Sequence, residues 1–233
     1  MSPIVRSVEL SDTNVFDELL PRGAVTVVAT PTMWESGLLA EEEPYIINAV
    51  NARRREFTAG RNCARQALHM LGIGALPIIV GYRRAPAFPP GICGTITHAA
   101  EYCAASVMHQ GDVLSIGIDA EVNTPLETEV RSLVLSFEEN SELKRLPKTS
   151  SCNWDKLVFS IKESFYKAYF QLCKIELDFL DAHVSILAGE RSFEISVLRS
   201  DLPAYFLASS FRGRFSFDHE RVYAAVALPK NRL

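Results

Sequence analysis

The chain has 233 residues, of which 48% are apolar and 22% are charged, and its formal net charge is −4. This composition is typical of a globular protein, and the mild acidity argues against a general binder of nucleic acids or of membrane surfaces. No apolar run reaches the roughly 20 residues of a membrane-spanning helix, and residues 1–12 lack the apolar core of a signal peptide.

The first part of the chain predicts a short strand followed by helical segments. Residues 25–30 are typical of a strand and residues 38–72 of helices, which Pro44 and Gly60 are expected to interrupt. Residues 83–91 contain three prolines and are expected to form a loop, because proline cannot donate to a β-ladder. Three further strands are predicted around this loop, at 76–81, 92–98 and 102–109.

The second part begins with a predicted strand at 112–121, and a strong helix pattern covers 154–173. Two shorter helices are predicted near 126–137 and 138–145. Four strands are predicted at the end of the chain, at 182–188, 192–198, 204–210 and 221–229. Helices and strands therefore occur on both sides of a changeover near Gly111. We predict an α+β fold of two halves, residues 1–111 and 112–233, rather than a repeated βαβ sheet.

Two carboxylates, Asp119 and Glu121, end the strand at 112–121, and side chains two apart on a strand share a face. One interpretation, which the motif alone supports about equally well, is a pair at a strand end that faces solvent. The other is a divalent metal site, because adjacent like charges need a cation or a proton to compensate them. Hard oxygen ligands suit Mg²⁺, which binds through one or two carboxylates together with phosphates.

The helix at 154–173 favours the metal site. It carries apolar residues on two sides, and the narrow polar strip between them consists of Lys156, Ser160, Glu163 and Lys167. A surface pair between Glu163 and Lys167 is the simplest interpretation. A largely buried helix needs partners for its charges, however, so Glu163 fits better as a third carboxylate.

The stretch at 52–65 is basic. On a continuous helix Arg54, Arg61 and Arg65 share one face, and Arg53 lies nearer the side of Gly60. A solvated face is the usual explanation of a charge run. Gly60 costs about 1 kcal/mol against alanine inside a helix, which suggests a close backbone approach, and arginines near such a site suit phosphate binding.

Thr97 and His98 add a hydroxyl and an imidazole, although a lone histidine is more often structural. A zinc site of Cys93, His98 and Cys103 is poorly supported, because the spacing is not standard and a fourth ligand is missing. The absence of G-x-S-x-G argues against a serine hydrolase. The five cysteines show no disulfide-framework spacing and are interpreted as reduced, mostly buried thiols. Together the residues suggest an enzyme acting on a phosphorylated, magnesium-bound substrate.

At this point the sequence resembles the 4′-phosphopantetheinyl transferases, in particular the bacterial enterobactin-synthase-component type, which is related to the surfactin-activating group. The resemblance covers nearly the whole chain and is carried by "RRREFTAGRNCARQAL", "GTITHAAEYCAA", "GIDAE" and "WDKLVFSIKESFYKAYF". The pair formed by G-I-D-x-E and K-E-S-x-Y-K, about forty residues apart, is quite specific.

The resemblance implies two similar halves related by a pseudo-twofold axis, with the active site in the cleft between them. It implies transfer of 4′-phosphopantetheine from coenzyme A to a serine of an apo acyl, aryl or peptidyl carrier protein, with release of adenosine 3′,5′-bisphosphate. Such carriers belong to fatty-acid, polyketide or non-ribosomal peptide synthases, including siderophore pathways. A cytoplasmic monomer is expected, without a nucleic-acid partner.

The resemblance also implies roles for individual residues. Asp119, Glu121 and Glu163 would hold Mg²⁺, for which Mn²⁺ is expected to substitute, on the pyrophosphate. Glu163 would also be the general base, with Lys167 near the leaving group. Contacts to the 3′-phosphate, the nucleotide or the other phosphates are expected from Arg53, Arg61, Thr97, His98 and Lys162.

One region departs from the family pattern. Relatives often carry a basic residue where this chain has Val80, followed by Gly-Glu-Pro, where this chain reads "RRAP". Arg83 or Arg84 is expected to take over the nucleotide contact. Two alternatives from other classes stay open at this point: a nucleotide-binding regulatory protein that has lost catalysis, and a Mg²⁺-dependent phosphohydrolase acting on CoA-like substrates.

Overall fold

The computed structural model describes residues 14–148, 151–207 and 210–230. The N-terminal stretch examined for a signal peptide lies outside these residues, as do residues 208 and 209 of the strand predicted at 204–210. Within the described ranges, none of the helices combines the length and the apolar character that crossing a membrane requires.

The described residues form six α-helices and ten β-strands, and most of the predicted elements are present. The helices are α1 Val15–Leu19, α2 Asn51–Met70, α3 Thr128–Val134, α4 Phe137–Leu143, α5 Trp154–Cys173 and α6 Ala204–Leu207. The strands are β1 Val25–Val28, β2 Ile79–Val80, β3 Pro86–Ala87, β4 Ile92–Ala99, β5 Tyr102–His109, β6 Val113–Val122, β7 Ala182–Leu187, β8 Ser192–Val197, β9 Phe211–Phe217 and β10 Arg221–Pro229. The mixed α+β fold class predicted from the sequence is confirmed.

The strands form two main antiparallel sheets. The first has the order β1-β5-β4, and the second has the order β6-β10-β9-β8-β7. Strands β2 and β3 form a separate two-stranded ladder. The division at residue 111 stays a prediction, since α1, from the first half, packs on β9 and β10 of the second sheet. The pseudo-twofold relation of the halves also stays a prediction.

Each main sheet packs against one 20-residue helix. Helix α2 lies on β1, β4 and β5, and helix α5 lies on β6 and β10. The α5 core contains the aromatic rings of Phe165, Phe193, Phe211 and Phe215. Since aromatic side chains bury large apolar areas, this core fixes α5 firmly against the second sheet.

Two threonines join the sheets where β4 meets β6. Strand β6 is an edge strand of its sheet, so its outward N–H groups need acceptors when they are buried. Thr95 Oγ1 accepts from the N–H of Ile118 (3.3 Å), and Thr97 Oγ1 accepts from the N–H of Ala120 (3.1 Å). These side chains therefore set the position of β6, and of Asp119 between the two bonded residues, relative to the first sheet.

Two predictions about elements are wrong. Helix α2 is continuous through Gly60, because the absence of a side chain there admits Ile96 of β4: a Cβ at Gly60 would lie 2.8 Å from Ile96 Cγ2. The strand predicted at 204–210 begins instead as α6, in which the consecutive residues Tyr205 and Phe206 are both buried. A strand would direct these two side chains to opposite faces.

The third of the four strands predicted at the end of the chain is in fact β9, Phe211–Phe217. Its residues alternate between buried and exposed positions, with Phe211, Gly213 and Phe215 buried and Arg212 and Arg214 exposed. This period of two is the pattern of a half-buried strand. The signal was therefore present in the sequence, seven residues beyond the start of the predicted strand.

Candidate active site

Asp119 is the most buried carboxylate of the cleft between β4, β6 and α5, with only 3% of the residue exposed. Its Oδ1 accepts from Lys167 Nζ at 2.7 Å and from Thr97 Oγ1 at 3.1 Å. Its Oδ2 is buried and has no hydrogen-bond partner among the described residues. A buried carboxylate oxygen without a partner is costly, and a bound cation would satisfy it.

Glu121 lies two residues further along β6, on the same face as Asp119. Its nearest cation is Lys156 of α5, whose Nζ is 4.0 Å from Glu121 Oε2. Burial, and then the charge of Asp119, raise the pKa of Glu121 to about 7. The free protein therefore resists placing two full negative charges here, as expected for a site that a cation completes.

Helix α5 contributes Glu163 and Lys167 to the same cleft. Burial raises the pKa of Glu163, Lys167 opposes this shift, and Asp119 adds to it. Lys167 Nζ donates both to Asp119 Oδ1 and to the carbonyl oxygen of Ile118, the latter at 3.2 Å. One helix thus supplies a carboxylate and an ammonium group beside the carboxylates of β6.

The donor set fits a hard divalent cation held jointly by protein and substrate. Across the described ranges, no three or more His, Cys, Asp or Glu side chains are arranged as a ready-made metal site. Mg²⁺ does not need such a cage, since it usually binds through one or two carboxylates together with phosphates and water. The unpaired Oδ2 of Asp119 and the neighbouring carboxylate of Glu121 meet that requirement.

A second polar group lies at the N-terminal end of α2, beside β4. Arg53 Nη1 is 3.2 Å from His98 Nε2 and 3.3 Å from Glu56 Oε2. Glu56 Oε2 is also 3.8 Å from His98 Nδ1. Because arginine can only donate, His98 Nε2 accepts in this arrangement and the imidazole is neutral. Burial is the main cause that lowers the pKa of His98, which agrees with this assignment.

This group and the carboxylates belong to one cleft. The positive charge of Lys167 lowers the pKa of His98, and the negative charge of Asp119 raises it. The structure therefore brings His98 of the first half, with Arg53 beside it, within electrostatic reach of Asp119 and Lys167 of the second.

Arg83 and Arg84 border the same cleft from the turn between β2 and β3. They line a cavity of about 190 Å³ together with Thr95, Tyr166 and Lys167. Both arginines have left-handed backbone angles, with φ values of 52° and 67°. Such angles are unfavourable for residues with a Cβ, and they cluster at functional sites. Arg83 also pairs with the exposed Glu176 at 3.0 Å.

Arg61 lies deeper in the first half. Its Nε donates to the carbonyl oxygen of Ile78 at 2.9 Å, and its guanidinium lies 4.0 Å from the ring centroid of Phe57. Burial lowers the pKa of Arg61 to about 10. A contact between Arg61 and a substrate phosphate stays a prediction, and only the terminal nitrogens of the guanidinium group are left to make it.

Two residues that are predicted to contact the substrate have polar groups that bind other parts of the chain, and these substrate contacts stay predictions. Lys162 Nζ donates to Glu139 Oε2, to Val134 O and to Phe179 O at 2.8–2.9 Å, so its three N–H groups already have acceptors. Thr97 is 1% exposed, and its hydroxyl is occupied by Ala120 and Asp119. In the protein without ligand, the hydroxyl of Thr97 thus orients Asp119, and Lys162 is held by Glu139.

Two further charged residues, Lys156 and Glu56, lie at the site, and the sequence-based predictions gave neither of them a role. Lys156 belongs to the polar strip of α5, seven residues before Glu163, and this spacing indicated that it faces the same cleft. Glu56 lies three residues after Arg53, which is the spacing of neighbours on a helix face. The predicted polar strip already contained Lys156, without a role assigned to it, and Glu56 could have been found from the same helical periodicity.

The zinc arrangement of Cys93, His98 and Cys103 is not formed. None of the five cysteines forms a disulfide bond, and Cys93 and Cys103 are buried. Burial raises the pKa of the Cys93 thiol to about 11, which disfavours the thiolate that zinc needs.

Comparison with known proteins gives matches in both halves. The model of the 4′-phosphopantetheinyl transferase N-terminal domain matches residues 41–108, and the model of the 4′-phosphopantetheinyl transferase superfamily matches residues 115–226. The second match contains the carboxylates of β6 and the whole of α5.

Curated relatives agree with these matches. The chain is 35% identical to 4′-phosphopantetheinyl transferase Svp of Streptomyces mobaraensis, over 90% of this chain and 87% of that protein. It is 36% identical to 4′-phosphopantetheinyl transferase PptT of Mycobacterium tuberculosis, over 82% and 86% of the two chains. Enterobactin synthase component D of Salmonella typhi is 33% identical over about half of each chain, 52% and 50%.

Proposed function

Because the chain belongs to the 4′-phosphopantetheinyl transferase superfamily, it is a transferase, and we propose that its acceptor is a serine of an apo carrier protein. Coenzyme A is the donor, and the products are the holo carrier protein and adenosine 3′,5′-bisphosphate. The observation that supports the site best is Asp119, a buried carboxylate with one oxygen paired to Lys167 and the other without a partner. The cleft around it is lined with basic side chains on both halves.

Asp119 and Glu121 would hold Mg²⁺ in this site, with Glu163 as the third carboxylate, and Mn²⁺ is expected to substitute. When bound, the metal would neutralise charge on the pyrophosphate of coenzyme A. The unpaired oxygen of Asp119 and the raised pKa of Glu121 support this assignment. Lys156 is the counter-charge of Glu121 in the free protein.

The reaction forms a bond between the serine oxygen and the phosphorus that carries pantetheine. The bond from that phosphorus to the bridging oxygen breaks, and the electron pair leaves with the 5′-phosphate of adenosine 3′,5′-bisphosphate. Lys167 is placed to stabilise this developing charge, since its ammonium lies beside Asp119. Glu163 accepts the proton of the serine, and its raised pKa makes it a better base than an ordinary carboxylate.

The first half would hold the nucleotide. Arg53 and His98 bind the 3′-phosphate, because they place a guanidinium and an imidazole 3.2 Å apart at the rim of the cleft. Arg83 and Arg84 bind the nucleotide from the cavity that they share with Lys167. Arg61 adds a contact through its terminal nitrogens.

The carrier proteins that we propose as acceptors are acyl, aryl or peptidyl carriers of fatty-acid, polyketide and non-ribosomal peptide synthases, including those of siderophore pathways. The protein would act in the cytoplasm as a monomer. The comparisons do not favour the regulatory protein without activity or the phosphohydrolase, because Svp and PptT are both 4′-phosphopantetheinyl transferases.

The direct test incubates the protein with coenzyme A, Mg²⁺ and a panel of apo carrier proteins, and weighs the products. We expect at least one carrier to gain the mass of phosphopantetheine while adenosine 3′,5′-bisphosphate appears in equal amount. Asp119→Asn should lower the rate by about 10²–10³-fold, since it removes a charged group from the transition-state environment. Release of pantetheine phosphate without an acceptor would instead identify a hydrolase.

A second test separates the two roles given to Glu163. Glu163→Gln keeps the shape but cannot accept a proton at neutral pH, so the single-turnover rate at saturating coenzyme A and carrier should fall by about 10²–10⁴-fold. Binding of coenzyme A with Mg²⁺ should weaken much less. Complete recovery of the rate at high Mg²⁺ would contradict the role as base and leave Glu163 as a metal ligand only.

A further inference from the structure

Glu56 lies where an anion would be least expected if the neighbouring Arg53 and His98 bind a phosphate. It follows Arg53 by one turn of α2, and its Oε2 is 3.3 Å from Arg53 Nη1 and 3.8 Å from His98 Nδ1. The same two side chains are the proposed ligands of the 3′-phosphate, so any role of Glu56 toward that phosphate rests on the proposed function. The side chain of Glu56 is 31% exposed, which leaves it partly desolvated and still able to move.

The contacts of Glu56 are the ones that a phosphate would need. Arg53 Nη1 is shared between Glu56 Oε2 and His98 Nε2. A phosphate oxygen bound to Arg53 and His98 would have to replace the carboxylate or lie beside a like charge, and both arrangements weaken phosphate binding. The carboxylate of Glu56 therefore lies where a phosphate bound to Arg53 and His98 would lie.

A competitor of the 3′-phosphate would help the enzyme to release its product. The 3′-phosphate is present in coenzyme A and is kept by the leaving product, adenosine 3′,5′-bisphosphate. Interactions with a group that does not change during the reaction strengthen binding of substrate, transition state and product alike, and do not accelerate the chemical step. A very tight 3′-phosphate site would therefore retain the product.

We propose that Glu56 is an internal competitor of the 3′-phosphate, which lowers the affinity for coenzyme A and for adenosine 3′,5′-bisphosphate and speeds release of the product. When the product leaves, the carboxylate of Glu56 returns to Arg53 and His98, so that the guanidinium of Arg53 always has an anionic partner. The energetic effect is moderate, because all three side chains are partly exposed and screened by solvent.

The test measures binding of three ligands: coenzyme A, dephospho-coenzyme A, which lacks the 3′-phosphate, and adenosine 3′,5′-bisphosphate. Glu56→Gln should tighten the first and the third by about 3- to 10-fold and leave the second unchanged. The dissociation rate of adenosine 3′,5′-bisphosphate, measured by stopped flow, should fall by a similar factor. Calorimetry in metal-free buffer supplies the binding constants.

Glu101→Gln is the matched control. Glu101 pairs with another arginine of the same helix, Arg55, at 3.4 Å, so the substitution removes the same charge from a similar pair. We expect it to change none of the three affinities by more than about twofold, because both partners are exposed. An equal tightening in Glu101→Gln would show that net charge, and not the position of Glu56, is responsible, and would overturn the proposal.

The outcomes separate this inference from the proposed function. If Glu56→Gln weakens binding of coenzyme A or leaves it unchanged, while the unaltered protein still prefers coenzyme A to dephospho-coenzyme A, Glu56 is not a competitor. If the unaltered protein does not distinguish those two ligands, the assignment of Arg53 and His98 to the 3′-phosphate fails, and the inference fails with it.

Discussion

The two long helices each bury one cation against a glutamate that precedes the helix, and the two arrangements are closely alike. In the first half, Glu42 is fully buried and pairs with Arg65 of α2. Its Oε2 also accepts from the N–H of Leu39, three residues earlier (3.1 Å), and its Oε1 accepts from the N–H of Ile78 (2.9 Å). One carboxylate thus ties together a turn, a helix and the segment before β2.

In the second half, Glu139 repeats this pattern with different residues. It is fully buried and pairs with Lys162 of α5 at 2.8 Å. Its Oε2 accepts from the N–H of Ser136, again three residues earlier (2.9 Å), and its Oε1 accepts from the N–H of Val184 in β7 (2.8 Å). Each half therefore uses a buried glutamate to connect its long helix to a turn before it and a strand-like segment after it.

The difference between the two pairs lies in their distance from the cleft. Lys162 immediately precedes Glu163 and lies five residues before Lys167, so the pair with Glu139 also fixes the rotation of the part of α5 that enters the active site. Arg65 is twelve residues from Arg53, which corresponds to roughly 18 Å along a helix. The buried ion pair therefore stabilises the fold in the first half, whereas in the second half it stabilises the fold and also positions the active-site residues of α5.

The helices also differ in how they approach their sheets. In the first half the glycine is on the helix, where a Cβ at Gly60 would lie 2.8 Å from the Cγ2 methyl group of the Ile96 side chain. In the second half it is on the strand, where a methyl group at Gly117 of β6 would overlap the backbone carbonyl of Ser164 in α5. A side chain can move aside at small cost, whereas the backbone of a packed helix cannot.

Substituting these glycines should give the largest difference between the halves. We expect Gly117→Ala to lower the free energy of unfolding by at least about 5 kcal/mol, enough to unfold a domain of ordinary stability. Gly60→Ala should lower it by no more than about 2 kcal/mol, because the gain in helix propensity of about 1 kcal/mol offsets part of the overpacking against Ile96. Urea denaturation measures both, and a folded, stable Gly117→Ala protein would contradict the close approach of β6 to α5.

Removing the buried cations should give the next largest effect, and the two pairs should differ in what their removal does to activity. Arg65→Met and Lys162→Met each leave a glutamate buried without a counter-charge, so each should lower the free energy of unfolding by about 3–5 kcal/mol. The transfer rate of the folded fraction should fall only in Lys162→Met, because that pair positions Glu163 and Lys167. Denaturation and initial rates at low temperature test this, and equal rates in the two variants would reject the distinction.

The smallest expected effect is on the pH dependence of stability, because the pKa of Glu121 in the second half is raised and the pKa of His98 in the first half is lowered. Glu121, with its pKa raised to about 7, keeps its proton more tightly in the folded state than in the unfolded state, where its ordinary value is 4.5. The free energy of unfolding therefore falls as the pH rises from about 4.5 to 7. Glu121→Gln removes this loss and should be more stable than the unaltered protein by roughly 1–3 kcal/mol at pH 8, with no difference near pH 4.

In the first half, His98 should change the free energy of unfolding with pH in the opposite direction. Its pKa is lowered, so the folded state disfavours the protonated imidazole, and stability is lost as the pH falls below about 6.5. His98→Gln should be relatively more stable on the acid side and unchanged at pH 8. Denaturation curves between pH 5 and 8 in the presence of a chelator test both residues, and the same pH slope in both variants would show that these shifts do not govern stability.

Much of the site was readable from the sequence because its residues follow local periodicities. The carboxylates of β6 are two apart on a strand, and the charges of α5 recur at helical spacing, so their common faces follow from geometry alone. The helix at 154–173 has the predicted bounds, since its apolar residues repeat over five turns. The identity of the family was likewise carried by these short, regular segments.

Only the tertiary structure decided which partner each polar group takes. Lys162 and Glu163 are neighbours in the sequence and looked equally available, but packing directs Lys162 to Glu139 and leaves Glu163 in the cleft. Thr97 donates to Asp119 because β4 runs beside the edge of β6, a contact between segments more than twenty residues apart. Sequence periodicity determines the face on which a side chain lies, whereas the partner it meets there depends on the packing of distant segments, because a buried polar group must be satisfied by whatever the fold brings beside it.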